Sequence, residues 1–230
     1  VDEMNKLAAE IGCTSTEFSN VTGLDSVNQY TTARDLYRII RYGMDFPEFE
    51  TLFSASEYTC TPVSGGSSRS FANTNNMLRS STSAYYSPMV FGRGGFTSPA
   101  GRCLASVARD SGYEYLCVVL GAPESDASSH YTDTRALYRW AFNNFTYKSL
   151  LDKNEPVTQM KINLAWSQDT VALVPESSFS ATVPNDLDRS TVLKVVVDVP
   201  DSVDAPIVKG QVYGRVELYI NMDQKIGEVN

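Results

Sequence analysis

Histidine is nearly missing from this sequence: His130 stands alone among 230 residues. A single imidazole gives Ser/His/Asp chemistry only one base to use, and it removes most histidine-ligated metal sites. The four cysteines, Cys13, Cys60, Cys103 and Cys117, form no Cys-x-x-Cys pair. A structural zinc is therefore not expected, and the cysteines are read as buried free thiols. Positive charge is also short: 19 Lys and Arg face 27 Asp and Glu, a formal net charge of −8. Such a chain has no footprint for a phosphate backbone, so no nucleic-acid partner is expected. No apolar run approaches the roughly 18 residues of a membrane helix. HExxH, Walker-type and Gly-x-Ser-x-Gly motifs are all absent, and Gly92-Arg93-Gly94-Gly95 lacks the Lys-Ser/Thr ending of a phosphate loop.

The opening, Val1-Asp2-Glu3-Met4-Asn5-Lys6, carries no initiator methionine, basic leader or apolar leader segment. Met4, Leu7, Ala8 and Ile11 already follow helical spacing, so the chain reads as a fragment of something longer.

What is present is ordinary globular material, 42% hydrophobic and 20% charged, long enough for one or two domains. Pattern and charge divide it near residue 148. Residues 1–148 carry a net charge of −3 and mix helix with strand; residues 149–230 carry −5 and read as short alternating strands. In the first part, Thr31-Thr32-Ala33-Arg34-Asp35 opens a capped amphipathic helix whose buried stripe would be Leu36, Ile39, Ile40 and Met44. Residues 63–75 read as a turn-rich loop. Arg102–Val107 and Glu114–Leu120 read as a hairpin. Residues 131–145 read as a second helix with Leu137, Trp140, Ala141 and Phe145 on one side, and His130 just before it as a capping or surface residue. In the second part, 159–164, 171–174, 192–197 and 212–220 read as strands punctuated by Pro175, Pro184, Pro200 and Pro206. The expected class is α+β, followed by a small all-β sandwich or barrel-like module.

Several blocks stand in a fixed order. Residues 4–14 (Met-Asn-Lys-Leu-Ala-Ala-Glu-Ile-Gly-Cys-Thr) precede Thr16-Glu17-Phe18-Ser19-Asn20, Gly23-Leu24-Asp25 and Tyr30-Thr31-Thr32-Ala33-Arg34-Asp35-Leu36. Then come Gly92-Arg93-Gly94-Gly95-Phe96-Thr97, Ala100-Gly101-Arg102-Cys103-Leu104 and Val118-Val119-Leu120-Gly121. This order closely resembles the low-molecular-mass penicillin-binding proteins, the serine-type D-alanyl-D-alanine carboxypeptidases. The resemblance runs colinearly through residues 1–148, and the tail 149–230 resembles that family's C-terminal β-domain.

The resemblance implies a penicillin-binding, β-lactamase-like catalytic domain that works through Ser-x-x-Lys, Ser-x-Asn and Lys-Thr-Gly motifs. It implies peptidoglycan stem peptides as substrate, β-lactams as inhibitors, no cofactor or metal, and a place at the outer face of the bacterial cytoplasmic membrane. Membrane contact would come only through an amphipathic anchor outside this chain. Three residues before the seven lysines stand Glu3, Phe145, Leu150, Thr158, Thr191, Pro206 and Met222, never serine. Ser26-Val27-Asn28 has the letters of the second motif, but it lies on the wrong side of the first helix for the family order. No catalytic residue is therefore assigned in this chain, and a missing N-terminal segment would carry the nucleophile. Without it the chain is expected to be inactive.

Arg93-Gly94-Gly95 takes the Lys-Thr-Gly place. Arginine keeps the charge that attracts a terminal carboxylate, while Gly94 loses a hydroxyl donor worth about 1.5–3 kcal/mol to a charged group. The resemblance therefore assigns substrate binding to Arg93, Gly94, Gly95, Phe96 and Thr97. It adds His130, near the place where the family commonly carries a carboxylate-binding arginine. The alternative reading is a non-catalytic homologue that binds wall peptide or acts as a scaffold.

Overall fold

Side-chain caps and a proline set the helix starts near the amino terminus. The computed structural model describes residues 1–166 and 168–230. Helix α1 (Asp2–Glu10) carries Asp2 and Glu3 in its first turn, where acidic groups suit the helix dipole. Helix α2 (Ala33–Gly43) starts at Thr32, whose hydroxyl accepts from the Asp35 amide at 3.2 Å. Helix α3 (Pro47–Ser54) begins on Pro47, a position where a missing N–H costs nothing. The expected stripe of α2 is only half-buried. Its buried residues are Asp35 and Gly43, and the Phe49 ring of α3 fills the place a side chain at Gly43 would take. Asp35 is held by the Ser15 amide (2.8 Å), the Thr16 hydroxyl (2.9 Å) and Arg38 (3.0 Å).

Residues 63–75 are not all loop. Strand β1 (Glu57–Cys60) pairs antiparallel with β2 (Arg69–Ala72), placing Tyr58 opposite Phe71. Every residue of both strands is exposed, and hydroxyl pairs Thr59–Ser70 (2.7 Å) and Thr61–Ser68 (2.9 Å) stitch the hairpin. The Gly- and Ser-rich tip masks a four-residue strand that buries no alternate side chains.

Strands β3 (Met89–Thr97), β4 (Gly101–Asp110) and β5 (Tyr113–Ala122) form an antiparallel sheet in that order. The β4–β5 turn is Ser111-Gly112, both at positive φ, the backbone that two-residue hairpins prefer. Helix α4 (Ser129–Asn144) buries His130, Thr134 and Tyr138, spaced four apart along one face. Tyr138 joins Met77, Leu104, Ala108, Cys117 and Val119 in the core. This corrects the expected face. Leu137 and Trp140 are 46% and 56% exposed, and Phe145 has left the helix for the next strand. A satisfied hydroxyl explains the inversion, because the Tyr138 phenol bonds Ser106 of β4 at 2.9 Å. His130, expected as a surface cap, is the second helical residue and is 6% exposed.

The chain divides into two compact units, Val1–Asn143 and Asn144–Asn230. In the second, β6 (Phe145–Leu151) pairs with β9 (Phe179–Pro184). Strand β7 (Thr158–Asn163) pairs antiparallel with β8 (Thr170–Leu173) and parallel with β11 (Ser202–Asp204). Strands β10 (Leu193–Val197), β12 (Arg215–Ile220) and β13 (Gln224–Val229) make a third sheet. Leu150 and Leu151 of β6, Val183 of β9, Val192 just before β10, and Val216, Leu218 and Ile220 of β12 form the apolar core of the second unit. Residue 148 lies inside β6. Among the described residues no helix is long and apolar enough to cross a membrane. The architecture is α+β, with a β-rich second unit.

Candidate functional site

Strand β3 lies at the edge of its sheet among the described residues, so its outer backbone groups can pair with an extended peptide. Its register against β4 runs without a bulge from Gly92↔Ser106 to Thr97↔Gly101, and side chains therefore alternate cleanly between faces. Arg93, Gly95 and Thr97 share one face; Gly92, Gly94 and Phe96 share the other.

Arg93 is exposed and donates from Nη1 to the Thr74 hydroxyl at 3.1 Å. An arginine guanidinium is not a general base, so the pair is not a nucleophile and its base. At Gly95 an added Cβ would meet nothing within 4 Å, which leaves the strand open to close approach. Thr97 donates to Asp25 Oδ1 (2.8 Å) and accepts from the Ala100 amide (3.2 Å), fixing the β3–β4 turn.

The other face is tighter. A Cβ at Gly92 would stand 2.7 Å from Ser106 Cβ and 2.8 Å from Asn75 Nδ2. Asn75 is fully buried; its Oδ1 accepts from the Met77 amide at 3.0 Å, while its Nδ2 has no partner among the described residues. At Gly94 the nearest atom is the Cys103 carbonyl oxygen at 3.1 Å. Phe96 is directly opposite Arg102, whose guanidinium carbon stands 4.8 Å from the ring centroid.

His130 packs on the neighbouring Tyr131 ring, centroids 3.8 Å apart. Its Nδ1 is buried without a hydrogen-bond partner among the described residues. Burial, reinforced by the charge of Arg102, pushes the imidazole below its ordinary pKa against the opposing pull of Asp126 and Asp133. Its charged form is therefore disfavoured at this corner. Tyr131 does the structural work at this corner. Its phenol donates to the Thr74 carbonyl (3.2 Å) and accepts from the Asn76 amide (3.4 Å), tying α4 to the loop that holds Arg93.

The structure thus brings Arg93, Gly94, Gly95, Phe96 and Thr97 together on one edge strand, with Thr74, Asn75, Arg102 and Tyr131 added. Arg102 could have been found from the sequence, since a turn from Thr97 to Gly101 sets it against Phe96. Thr74 and Tyr131 carry no local pattern. Ser26-Val27-Asn28 lies in an exposed loop. The four cysteines are free, Cys13 and Cys117 buried, Cys103 half-buried and Cys60 exposed, so burial covers only part of the expected set. A cavity of about 450 Å³ belongs to the second unit; its walls are mainly aliphatic, among them Val157, Leu173, Val196 and Ile207. It holds no part of the β3 constellation.

Residues 1–124 match the family described as D-alanyl-D-alanine carboxypeptidase, and residues 145–230 match the penicillin-binding protein 5 C-terminal domain. The chain is 28% identical over 222 residues to the D-alanyl-D-alanine carboxypeptidase DacA of Haemophilus influenzae, covering 94% of this chain and 52% of that protein. It is 26% identical over 230 residues to DacF of Bacillus subtilis, covering all of this chain and 55% of that protein. The crystal structure of penicillin binding protein 5 from Haemophilus influenzae superposes with a TM-score of 0.70 at 25% identity, covering 99% of this chain and 62% of that one. The chain spans about half the length of the curated relatives it matches.

Proposed function

Because the chain belongs to the D-alanyl-D-alanine carboxypeptidase family, we propose that its first unit receives the end of a peptidoglycan stem peptide in a serine-type carboxypeptidase. The acylating serine and its lysine come from residues outside Val1–Asn230. The observation that carries this reading is the edge strand β3, with the exposed Arg93 held by Thr74 beside the open backbone at Gly95.

In this reading the stem peptide lies along β3 as an added strand. The external serine oxygen attacks the carbonyl of the penultimate D-alanine, and its proton passes through the lysine to the departing amine. The C–N bond breaks, D-alanine leaves, and water then hydrolyses the ester to restore the serine. Arg93 contributes a fixed positive charge and no proton transfer. The second unit holds the catalytic part away from the outer face of the cytoplasmic membrane, and β-lactams occupy the same site as substrate mimics.

Gly94 favours a second reading, a homologue that binds wall peptide without turning it over, because it offers the peptide no hydroxyl. Intact-mass analysis of the full-length protein after penicillin treatment separates the two. The carboxypeptidase reading expects one covalent adduct on a serine outside residues 1–230 and release of D-alanine from a stem pentapeptide. No adduct at saturating penicillin, with peptide binding retained, selects the binding-only homologue. An adduct on any side chain between Val1 and Asn230 overturns the assignment of the nucleophile.

A further inference from the structure

The cavity of the second unit is walled by strands of two different sheets. Val171 and Leu173 come from β8, Val196 from β10 and Val216 from β12, while Ile207 and Val212 come from the segment between β11 and β12. Its volume of about 450 Å³ falls in the range of small-molecule sites, and is roughly three times that of an apolar cavity that takes up one benzene ring. Aliphatic walls offer water too few partners to hold it, so space of this kind favours an apolar guest. Polar groups on the lining are engaged with one another or with their neighbours. The Tyr213 phenol donates to Gln211 Oε1 at 2.9 Å, and Arg215 is paired with Asp198, Glu217 and Glu228.

The wall formed by residues 205–214 is fastened at both ends. The Ala205 amide donates to the Asn163 carbonyl at 3.0 Å. At Gly214 a Cβ would stand 2.6 Å from the Val197 carbonyl oxygen, closer than a side chain tolerates, so glycine lets the segment pass tight against the end of β10. Between these ties the Gln211 amide donates to the Val208 carbonyl at 3.2 Å, closing a turn with Gly210 at positive φ. That turn carries Lys209 between Val208 and Val212, which are 69% and 57% exposed, and so sets a cation where the cavity meets solvent. Lys209 enters no ion pair among the described residues, and the remaining charged group of the lining, Glu176, follows β8 on another wall.

We propose that this cavity binds one aliphatic chain, the tail of a single-chain anionic amphiphile such as a fatty acid, with the anionic head on the Lys209 ammonium. A peptide is the poorer fit. Its backbone N–H and C=O groups would meet aliphatic walls without partners, whereas a methylene chain carries no such groups. The site lies wholly in the second unit, so it stands or falls independently of the carboxypeptidase reading of β3.

The test is calorimetric titration of the full-length protein with saturated fatty carboxylates of increasing chain length, each below its micelle concentration. Every methylene that enters the cavity multiplies affinity by about fourfold. Affinity is therefore expected to climb with length and level off on the order of fourteen carbons, where the cavity is full. Val171→Phe fills the space from a strand and Val212→Trp from the exposed segment, where folding is not at stake; each weakens the longest ligands by about tenfold or more. Lys209→Glu weakens the carboxylate and strengthens a trimethylammonium amphiphile with the same tail. Affinity that keeps rising past twenty or so carbons, or that survives both filling variants, marks adsorption on the surface and overturns the proposal. An unchanged carboxylate-to-ammonium ratio in Lys209→Glu overturns it too. Dimerisation that the amphiphile leaves untouched, with no binding of the amphiphile, assigns the cavity to a second copy of the chain instead.

Discussion

The phenol of Tyr138 and the hydroxyl of Ser106 lie 2.9 Å apart, both fully buried, joining α4 to the middle of β4. Removing one partner strands the other in the core. Tyr138→Phe is expected to destabilise the protein by about 1–3 kcal/mol in urea unfolding, because the Ser106 hydroxyl then has no acceptor or donor there. The double variant with Ser106→Ala should lose less than the sum of the two single variants. Strict additivity would show that the pair contributes nothing.

Two glycines of β3 should respond in opposite ways. Gly92→Ala forces a methyl to within 2.7–3.1 Å of Ser106, Asn75 and the Ala105 carbonyl, and overpacking of that kind costs about 1–3 kcal/mol. Gly95→Ala meets nothing within 4 Å, so stability should stay within about 0.5 kcal/mol while peptide affinity falls. Thermal melts and peptide titrations of both variants check this; equal stability losses would contradict the strand geometry.

The thiols should label in order of exposure. Cys60 is exposed on β1 and should react within the first phase with a maleimide at pH 8. Cys117 is buried, and burial pushes its thiol up to about 11, so it should react only after unfolding. Burial also raises Cys13, helped by the carboxylate of Asp35. Mass spectrometry of native and denatured samples reads the order directly.

An acid-sensitive contact is built into the second unit. Glu217 is pulled down to about 2, first by Lys225 (2.8 Å), then by the Tyr219 hydroxyl (2.7 Å), with Arg215 at 3.2 Å also contributing. A carboxylate depressed in the folded state stabilises fully above its unfolded value near 4.5 and loses that contribution as pH falls toward 2. Glu217→Gln should therefore flatten the fall in urea midpoint between pH 6 and 2. An unchanged acid limb would show that the network is neutral.

Much of the architecture could be read from local pattern. The β4–β5 hairpin announced itself through two apolar runs around Ser111-Gly112, and β12 through the alternation of Val216, Leu218 and Ile220. Strands β2 and β11 were not singled out because they are four and three residues long, β9 because its partner β6 lies about thirty residues back, and β13 because Gln224-Lys225-Ile226-Gly227-Glu228-Val229 alternates weakly. The face of α4 was misread because hydropathy favours Leu137 and Trp140, whereas a satisfied phenol and two further polar groups occupy the core side. At the candidate site, Arg93 through Thr97 were legible as a block. Thr74 and Tyr131 were not, because a contact across 57 residues leaves no trace in local spacing.

The β1–β2 hairpin ends in a tip where Gly65 and Gly66 both take positive φ and no neighbour crowds Gly65. Backbone that buries nothing can be lengthened at little cost, since each doubling of a flexible loop adds only about 0.6 kcal/mol. That tip is accordingly a graft point, able to carry an epitope or a fluorophore tag while the sheet and its edge strand stay intact.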